Sequence, residues 1–238
     1  MAEDITIATL VQNGTLNAKI AGVLWAAVAD RISFLTVAIP RFAGKTTLSN
    51  AVLALRPLSV PLHRLKGEDD LPRLKLKPGG YLVVPEFSPV GRPDYIWGEP
   101  VRRVFDFVQA AGYSLQGSLH AGSPQEAMGI MTKANGLSDK QLSLIKLVLY
   151  IEVFETSDGL LLRRLAEVYE VYKVVNGKPV GQTLFRWHKD KNHFERAAFP
   201  KQWGRDKNDL QKRSTIIADL AKSGRTNSSD IAKVVETF

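Results

Sequence analysis

The sequence predicts an α/β fold: a mostly parallel sheet first, then antiparallel hairpins, then helices at the C-terminal end. Three observations carry this. The run "RISFLTVAI" is apolar and β-branched with no polar alternation, as expected of a strand covered on both faces in a parallel sheet. Strand-like and helix-like stretches alternate up to about Leu147, the order of parallel βαβ units. Beyond that point long β-rich runs are separated by Ser-Asp-Gly and Asn-Gly, which are hairpin signals.

Taken in order, "TLNAKIAGVLWAAVAD" reads as a helix capped by Thr15, with Leu16, Ile20, Leu24 and Ala27 on one stripe. The buried strand follows, and then "GKTTLSNAVLAL", a helix stopped by Pro57. The proline- and charge-rich "RPLSVPLHRLKGEDDLPRLKLKPGG" reads as a surface excursion. "YLVVPEF" and "DYIWGE" are short strands, the second ending in an acid. "VRRVFDFVQAAG" is a helix with Val101, Val104, Phe105 and Val108 on one face, ended by Gly112. "YSLQGSLH" is a further strand. "SPQEAMGIMTKANG" opens with Ser123, Pro124 and Glu126 at capping-box spacing, and "SDKQLSLIKL" repeats the device with Ser138 and Gln141. The end of the chain reads as two short helices around Gly224, the first lined by Ile216, Ile217 and Leu220, the second by Ile231, Val234 and Val235. The domain division that follows is a core with late β-hairpins over residues 1–196 and a helical extension over 197–238.

Composition bounds the function. With 238 residues and 45% hydrophobic content the chain is long enough to bury a core. Its apolar runs fall short of the ~20 residues a membrane span needs. The start, "MAEDITIATL", lacks the basic region of a signal peptide. Zero cysteines exclude a disulfide framework and Cys-ligated zinc, and a cytoplasmic location follows as the expectation. A net charge of +8 favours an anionic partner, whether nucleotide, nucleic acid or membrane surface, although the basic residues are scattered along the chain. His63, His188 and His193 have no metal-ligand spacing and read as surface residues.

One stretch carries chemistry. "VAIPRFAGKTTLSNAV" ends like the phosphate-binding pattern G-x-x-x-x-G-K-[ST] but does not begin like it. Gly44, Lys45 and Thr46 fill the second half, while Ile39 stands where the first glycine belongs. Such a loop works by curling backbone N–H groups around phosphates at a helix N-terminus. Lysine adds a point charge, and the hydroxyl ligates Mg²⁺. Pro40 has no N–H to give, and Ile39 does not reach positive φ cheaply.

The segment from "LVQNGTLNAKIAGVLW" through "AGKTTLSNAVLAL" resembles the secretion ATPase superfamily, the motors of type II and type IV secretion, type IV and tight-adherence pili and archaeal flagella. "RPDYIWGE" is similar to its Walker B segment, "GYSLQGSLHAGSPQEAM" to its His box, and "RRLAEVYEVYKVVNGKPVGQTLFRWHKDKNHFE" to its late β-hairpins. The resemblance spans nearly the whole chain as the C-terminal motor domain. It implies a RecA-like P-loop NTPase core that binds ATP and Mg²⁺ through a loop of Phe42, Ala43, Gly44, Lys45, Thr46 and Thr47. Lys45 would hold the β/γ-phosphates, with Thr46 and Glu99 as the Mg²⁺ residues. Glu99 matches the Walker B glutamate, Glu86 is similar in place to the acidic box after the second strand, and His120 matches the His-box histidine, so these three are the catalytic candidates. Each also suits a plainer role: Lys45 as solvated charge, Glu99 as a helix cap, Glu86 as a loop acid, His120 as a hydrogen-bonded core residue.

Departures from the family pattern are specific. Two loop glycines are replaced by Ile39 and Phe42, Val101 stands where an arginine follows the Walker B acid, and the N-terminal domain that supplies arginines has no counterpart in the resemblance. Three readings follow. The first is an ATPase coupling hydrolysis to assembly or transport, as a homo-oligomer (a hexamer in the family) or beside intact motor subunits. Its further partner would be an inner-membrane platform protein, which places the chain peripherally at the inner face of the cell membrane. The second is a pseudo-ATPase with a degenerate P-loop that regulates or scaffolds an intact motor. The third, a nucleic-acid-binding module, has only net charge behind it; the sequence carries no specific nucleic-acid motif.

Overall fold

A computed structural model of the chain describes residues 5–75, 77, 79–156, 158–203 and 205–238. The acidic Glu3 and Asp4, part of the surface excursion at Leu76 and Pro78, and Ser157 of the Ser-Asp-Gly turn lie outside the described residues. In chain order these residues form α1 (Ile7–Gln12), α2 (Ala18–Ala29), β1 (Phe34–Val37), α3 (Lys45–Leu53), β2 (Leu62–Arg64), a 3₁₀ turn (Glu68–Asp70), α4 (Leu71–Leu74) and β3 (Tyr81–Val84). Next come β4 (Glu86–Phe87), β5 (Tyr95–Ile96), α5 (Glu99–Ala111), β6 (Ser114–Leu119), α6 (Pro124–Lys133) and α7 (Asp139–Leu142). The chain closes with β7 (Leu147–Glu155), β8 (Leu161–Val175), β9 (Lys178–His188), β10 (His193–Arg196), α8 (Lys207–Lys222) and α9 (Ser228–Thr237). Eight strands make one sheet in the order β10-β9-β8-β7-β1-β6-β3-β2, and β4 pairs with β5 apart from it.

The fold class read from the sequence is the one observed. β1 runs parallel to β6 on one side and β7 on the other, and all four of its residues are buried. From β7 onward the pairing is antiparallel. Asn176 and Gly177, at φ 51° and 71°, make the tight turn between β8 and β9 that an Asn-Gly pair favours. Successive residues of the parallel strands feed opposite cores. Phe34, Tyr81 and Val83 pack with α1, α2, α3 and α8 on one face; Leu35, Leu82 and Val84 pack with α5, α6 and α7 on the other. The predicted stripe of α5, Val101, Val104, Phe105 and Val108, is buried in the second core.

Several elements differ from expectation for local reasons. Asn17, not Thr15, caps α2, its carboxamide accepting from the Ile20 N–H at 2.9 Å. Thr15 sits before the cap, and its carbonyl ties the loop to β8 by accepting from Leu165 N. α1 is one short turn set off by a Thr6 cap, below the length at which periodicity is readable. The expected excursion supplies β2, an edge strand parallel to β3, and buries Leu65, Leu71 and Leu74. His63 on β2 is half-buried and stacks edge-on against Tyr113 at 5.5 Å, so it is not a surface residue. "SDKQLSLIKL" yields only α7, although its full capping box is present. "DYIWGE" contributes two residues to a ribbon with β4 and does not enter the main sheet.

The C-terminal helices are built onto the core. α8 is 16 residues long and crosses α2 at Gly22, where an added Cβ would stand 2.3 Å from Ser214 Oγ and 2.8 Å from Ser214 N. The Arg213 guanidinium lies between Trp25 and Phe238, 4.8 Å and 4.1 Å from their ring centres, and binds Asp209. The buried Glu170 carboxylate of β8 accepts from the backbone N–H groups of Lys201 and Gln202 and from Gln182, pinning the segment that leads to α8. Among the described residues, none of the helices is long and apolar enough to cross a membrane.

Candidate phosphate-binding site

β1 and β6 are neighbours, yet the chain leaves them in opposite directions. After β1 it passes through α3 to β2 at the sheet edge; after β6 it passes through α6 and α7 to β7 on the other side of β1. That reversal opens a crevice beyond the carboxyl ends of the two strands, the place where open parallel sheets bind ligands. The loop of residues 38–44 and the loop carrying His120 form its two lips. A cavity of about 620 Å³ lies there, lined among others by Ile39, Lys45, Thr46, Glu86 and His120.

Gly44 is the N-cap of α3 and takes φ 92°, a conformation that glycine adopts freely. The first helical bond runs from Leu48 N to the Gly44 carbonyl, so the N–H groups of Lys45, Thr46 and Thr47 have no acceptor within the helix. Free N–H groups and the positive end of the helix dipole together make an anion site. The Thr46 side chain is exposed at this first turn.

Lys45 folds down into the protein, 7% exposed. Its Nζ lies 3.5 Å from Glu86 Oε1 and 3.4 Å from His120 Nε2. His120 Nδ1 is 2.7 Å from the Ile39 carbonyl, which can only accept, so Nδ1 carries the proton and Nε2 is left to accept from Lys45. Glu86, directly after Pro85 at the end of β3, brings the one negative charge; its Oε1 is buried and accepts no hydrogen bond. Burial pushes the Glu86 carboxyl above its ordinary value, and Lys45 and His120 beside it oppose that without cancelling it. Burial also lowers Lys45, with Glu86 opposing. Beneath the loop, Thr36 of β1, Ser49 of α3 and Gln116 of β6 form a buried hydrogen-bonded set that locks α3 to the two strands.

The first half of the loop is different. Phe42 is held at φ 59°, where bulky side chains are rarely found, and its ring is 91% exposed. Its carbonyl accepts from Arg163 Nε and Nη2 of β8 at 3.3 Å and 3.1 Å. Ile39 is also exposed, at 63%.

The fold therefore brings Ala43, Gly44, Lys45, Thr46, Thr47, Phe42, Glu86 and His120 around one cavity. It does not bring Glu99 there. The chain turns at Gly98, whose N–H donates to Asn135, and Glu99 begins α5, where it pairs with Arg103 at 2.7 Å on the surface. Its expected places as the catalytic acid and as a Mg²⁺ residue are corrected on this ground: Glu99 is not among the residues lining the cavity, and Glu86 is the acid that faces Lys45 there. Sequence reasoning also missed Arg41, Ser88, Arg92 and Tyr95, which line the cavity. Arg41 was legible as a basic residue inside the loop; the other three reach the site through the β4–β5 ribbon, for which no local signal exists.

A Mg²⁺-nucleotide fits these residues in part. Among the described residues no group of three or more His, Asp or Glu side chains is placed to hold a metal ion. Mg²⁺ does not need one, since it is commonly held by one or two protein oxygens together with phosphates and water. The exposed Thr46 hydroxyl and the Glu86 carboxylate, ion-paired with Lys45, are the oxygens on offer.

No family model matches the sequence, and no curated protein matches it. Among solved structures the chain is similar to the X-ray structure of the Yersinia pseudotuberculosis ATPase DotB, with TM-score 0.43 and 9% identity, covering 93% of this chain and 63% of that one. It is similar also to the Legionella pneumophila ATPase DotB, with TM-score 0.38 and 12% identity, covering 58% of this chain and 45% of that one. The chain thus spans less than two thirds of the length of either structure.

Proposed function

We propose that this chain is a nucleotide-binding domain of the secretion ATPase type, taking Mg-ATP on the loop from Phe42 to Thr47. The observation that carries the reading is the placement of Lys45: at the start of a helix with free N–H groups, in the crevice between two oppositely connected strands, held by Glu86 and His120. The buried Glu86–Lys45 pair is the state expected before an anion arrives. A phosphate entering beside Lys45 supplies the negative charge that Glu86 otherwise provides, and Glu86 is then free to orient water. Mg²⁺, when bound, neutralises charge between the β- and γ-phosphates. Coupling of hydrolysis to assembly or transport, formation of a ring of identical subunits, and contact with a membrane platform protein from the cytoplasmic side belong to the same proposal.

A second reading has its own observation. Pro40 offers no N–H, and Phe42 sits in a left-handed conformation that the family fills with glycine. Those features favour a domain that binds nucleotide, turns it over poorly and acts beside an intact motor.

Calorimetry with Mg-ATP on the wild type and Lys45→Ala tests both. Binding that weakens by about 10- to 100-fold or more in the variant, the usual effect of losing a charged hydrogen-bonding group, supports the site. Equal binding by the two proteins, or none by either, overturns it. Bound nucleotide that stays intact over hours selects the second reading over the first.

A further inference from the structure

The charges around the 620 Å³ cavity are unequal. Among the described residues lining it, Arg41, Lys45 and Arg92 are cations and Glu86 is the acid. His120 adds no charge while its Nε2 accepts from Lys45. The two arginines come from opposite lips. Arg41 lies in the loop before Gly44; it is exposed and, among the described residues, has no hydrogen bond or ion pair. Arg92 lies between β4 and β5, stacked on Tyr95 with its guanidinium carbon 4.9 Å from the ring centre and with Nε 3.3 Å from Asp94. The acid is poorly placed for a metal ion. Glu86 Oε1 has Lys45 Nζ at 3.5 Å and His120 Nε2 at 3.8 Å. An ion bound to that oxygen would stand beside an ammonium group, and like charges at such a distance repel. The Thr46 hydroxyl is the other oxygen on offer, and it is neutral.

We infer that this site holds the phosphates of a nucleotide without needing Mg²⁺, and that Arg41 and Arg92 supply the positive charge a metal ion would otherwise bring. The inference rests on the proposed nucleotide reading and departs from it in the metal. Mg²⁺ gives up its water reluctantly and is commonly fixed by one or two carboxylates together with the phosphates. Here the one carboxylate at the cavity faces Lys45. A guanidinium needs no such support: it stays charged at every working pH and offers paired donors that match phosphate oxygens. One arginine on each lip of the crevice, with Lys45 and the free N–H groups of α3 at its floor, surrounds a phosphate chain with donors from three directions.

The test is calorimetry with ATP in excess Mg²⁺ and with ATP in EDTA, on the wild type and on the double variant Arg41→Gln, Arg92→Gln. Both side chains are exposed, so the exchange leaves the core untouched. The wild type should lose less than about tenfold in affinity when Mg²⁺ is removed, which is under the worth of one charged hydrogen bond. In the double variant the gap between the two buffers should widen by about tenfold or more, because the metal then carries charge that the arginines no longer supply. A wild type that loses about tenfold or more in EDTA overturns the inference, as does a gap that the double variant leaves unchanged. In either case Mg-ATP binding by the wild type keeps the nucleotide reading standing. If ATP binds in neither buffer, both readings fall.

Discussion

The two halves of the loop from Ile39 to Thr46 obey different rules. From Ala43 to Thr46 the shape is written in the residues themselves: glycine where φ is 92°, a helix start with free N–H groups, a lysine buried against its partners. From Ile39 to Phe42 the residues oppose the shape, and two donors from distant elements impose it. His120 holds the Ile39 carbonyl from the end of β6, and Arg163 holds the Phe42 carbonyl from β8. The loop can therefore hold its course without glycine at Ile39 and Phe42 because side chains outside it supply the constraint. The cost is dependence: the loop is as rigid as the two arms that grip it.

Glycine exchanges at the two left-handed positions set the halves against each other. Gly44→Ala should destabilise the protein by about 1 kcal/mol: a left-handed alanine costs roughly 1–2 kcal/mol, partly offset by the stiffer unfolded chain. An added Cβ also meets Arg163 Cδ at 3.3 Å, a contact that a shift of that flexible side chain relieves. Phe42→Gly should act in the opposite direction and by less, a gain of about 0.5 kcal/mol, because the same strain is removed while glycine adds unfolded entropy. The ring is 91% exposed, so its removal loses little burial. Urea midpoints at constant slope read both. If Gly44→Ala is neutral or Phe42→Gly destabilises, the halves do not differ as described.

How much of this was legible follows the same division. β1, α5 and the switch from parallel to antiparallel pairing were read from period and turn residues, because each is a local pattern. Which acid faces Lys45 was not. Glu86 and Glu99 both follow apolar runs, and only strand order separates them: β3 joins the main sheet beside β6, whereas β5 pairs with β4 outside it. Arg163 stands about 120 residues from the carbonyl it binds, so its arrival at the loop is decided by long-range pairing. The Asn17 cap was missed because Thr15 and Asn17 both carry capping side chains, and tertiary contact with β8 settles between them.

If Arg163 grips the loop because Phe42 is strained, the two residues are coupled. Arg163→Ala should cost about 0.5–1 kcal/mol in the wild type, the ordinary net value of such a bond, and nearly nothing beside Phe42→Gly. Hydrogen exchange at Ala43 and Gly44 should quicken in Arg163→Ala and return toward the wild-type rate in the double variant. Additive effects would mean that Arg163 is a surface contact and that the loop keeps its course unaided.

The smallest effect tests the settled half. Burial holds the Glu86 carboxyl above its ordinary 4.5, so the folded state keeps a proton that the unfolded chain releases. The associated stability is complete below pH 4.5 and is lost as the pH rises through the higher folded value. Lys45 acts from the other side: its lowered value withdraws stability as the pH falls from 10.5 through the folded value. Both shifts have the same leading cause, the burial of an acid and a base side by side. Glu86→Gln should flatten the stability profile above pH 4.5, and Lys45→Met should flatten it below pH 10.5. Added tripolyphosphate should stabilise the wild type more than Lys45→Met at pH 7, since only the wild type has a buried cation for the ligand to pair with. A Glu86→Gln profile that parallels the wild type would mean that Glu86 titrates as a solvated acid. The grip on Lys45 would then belong to His120 alone.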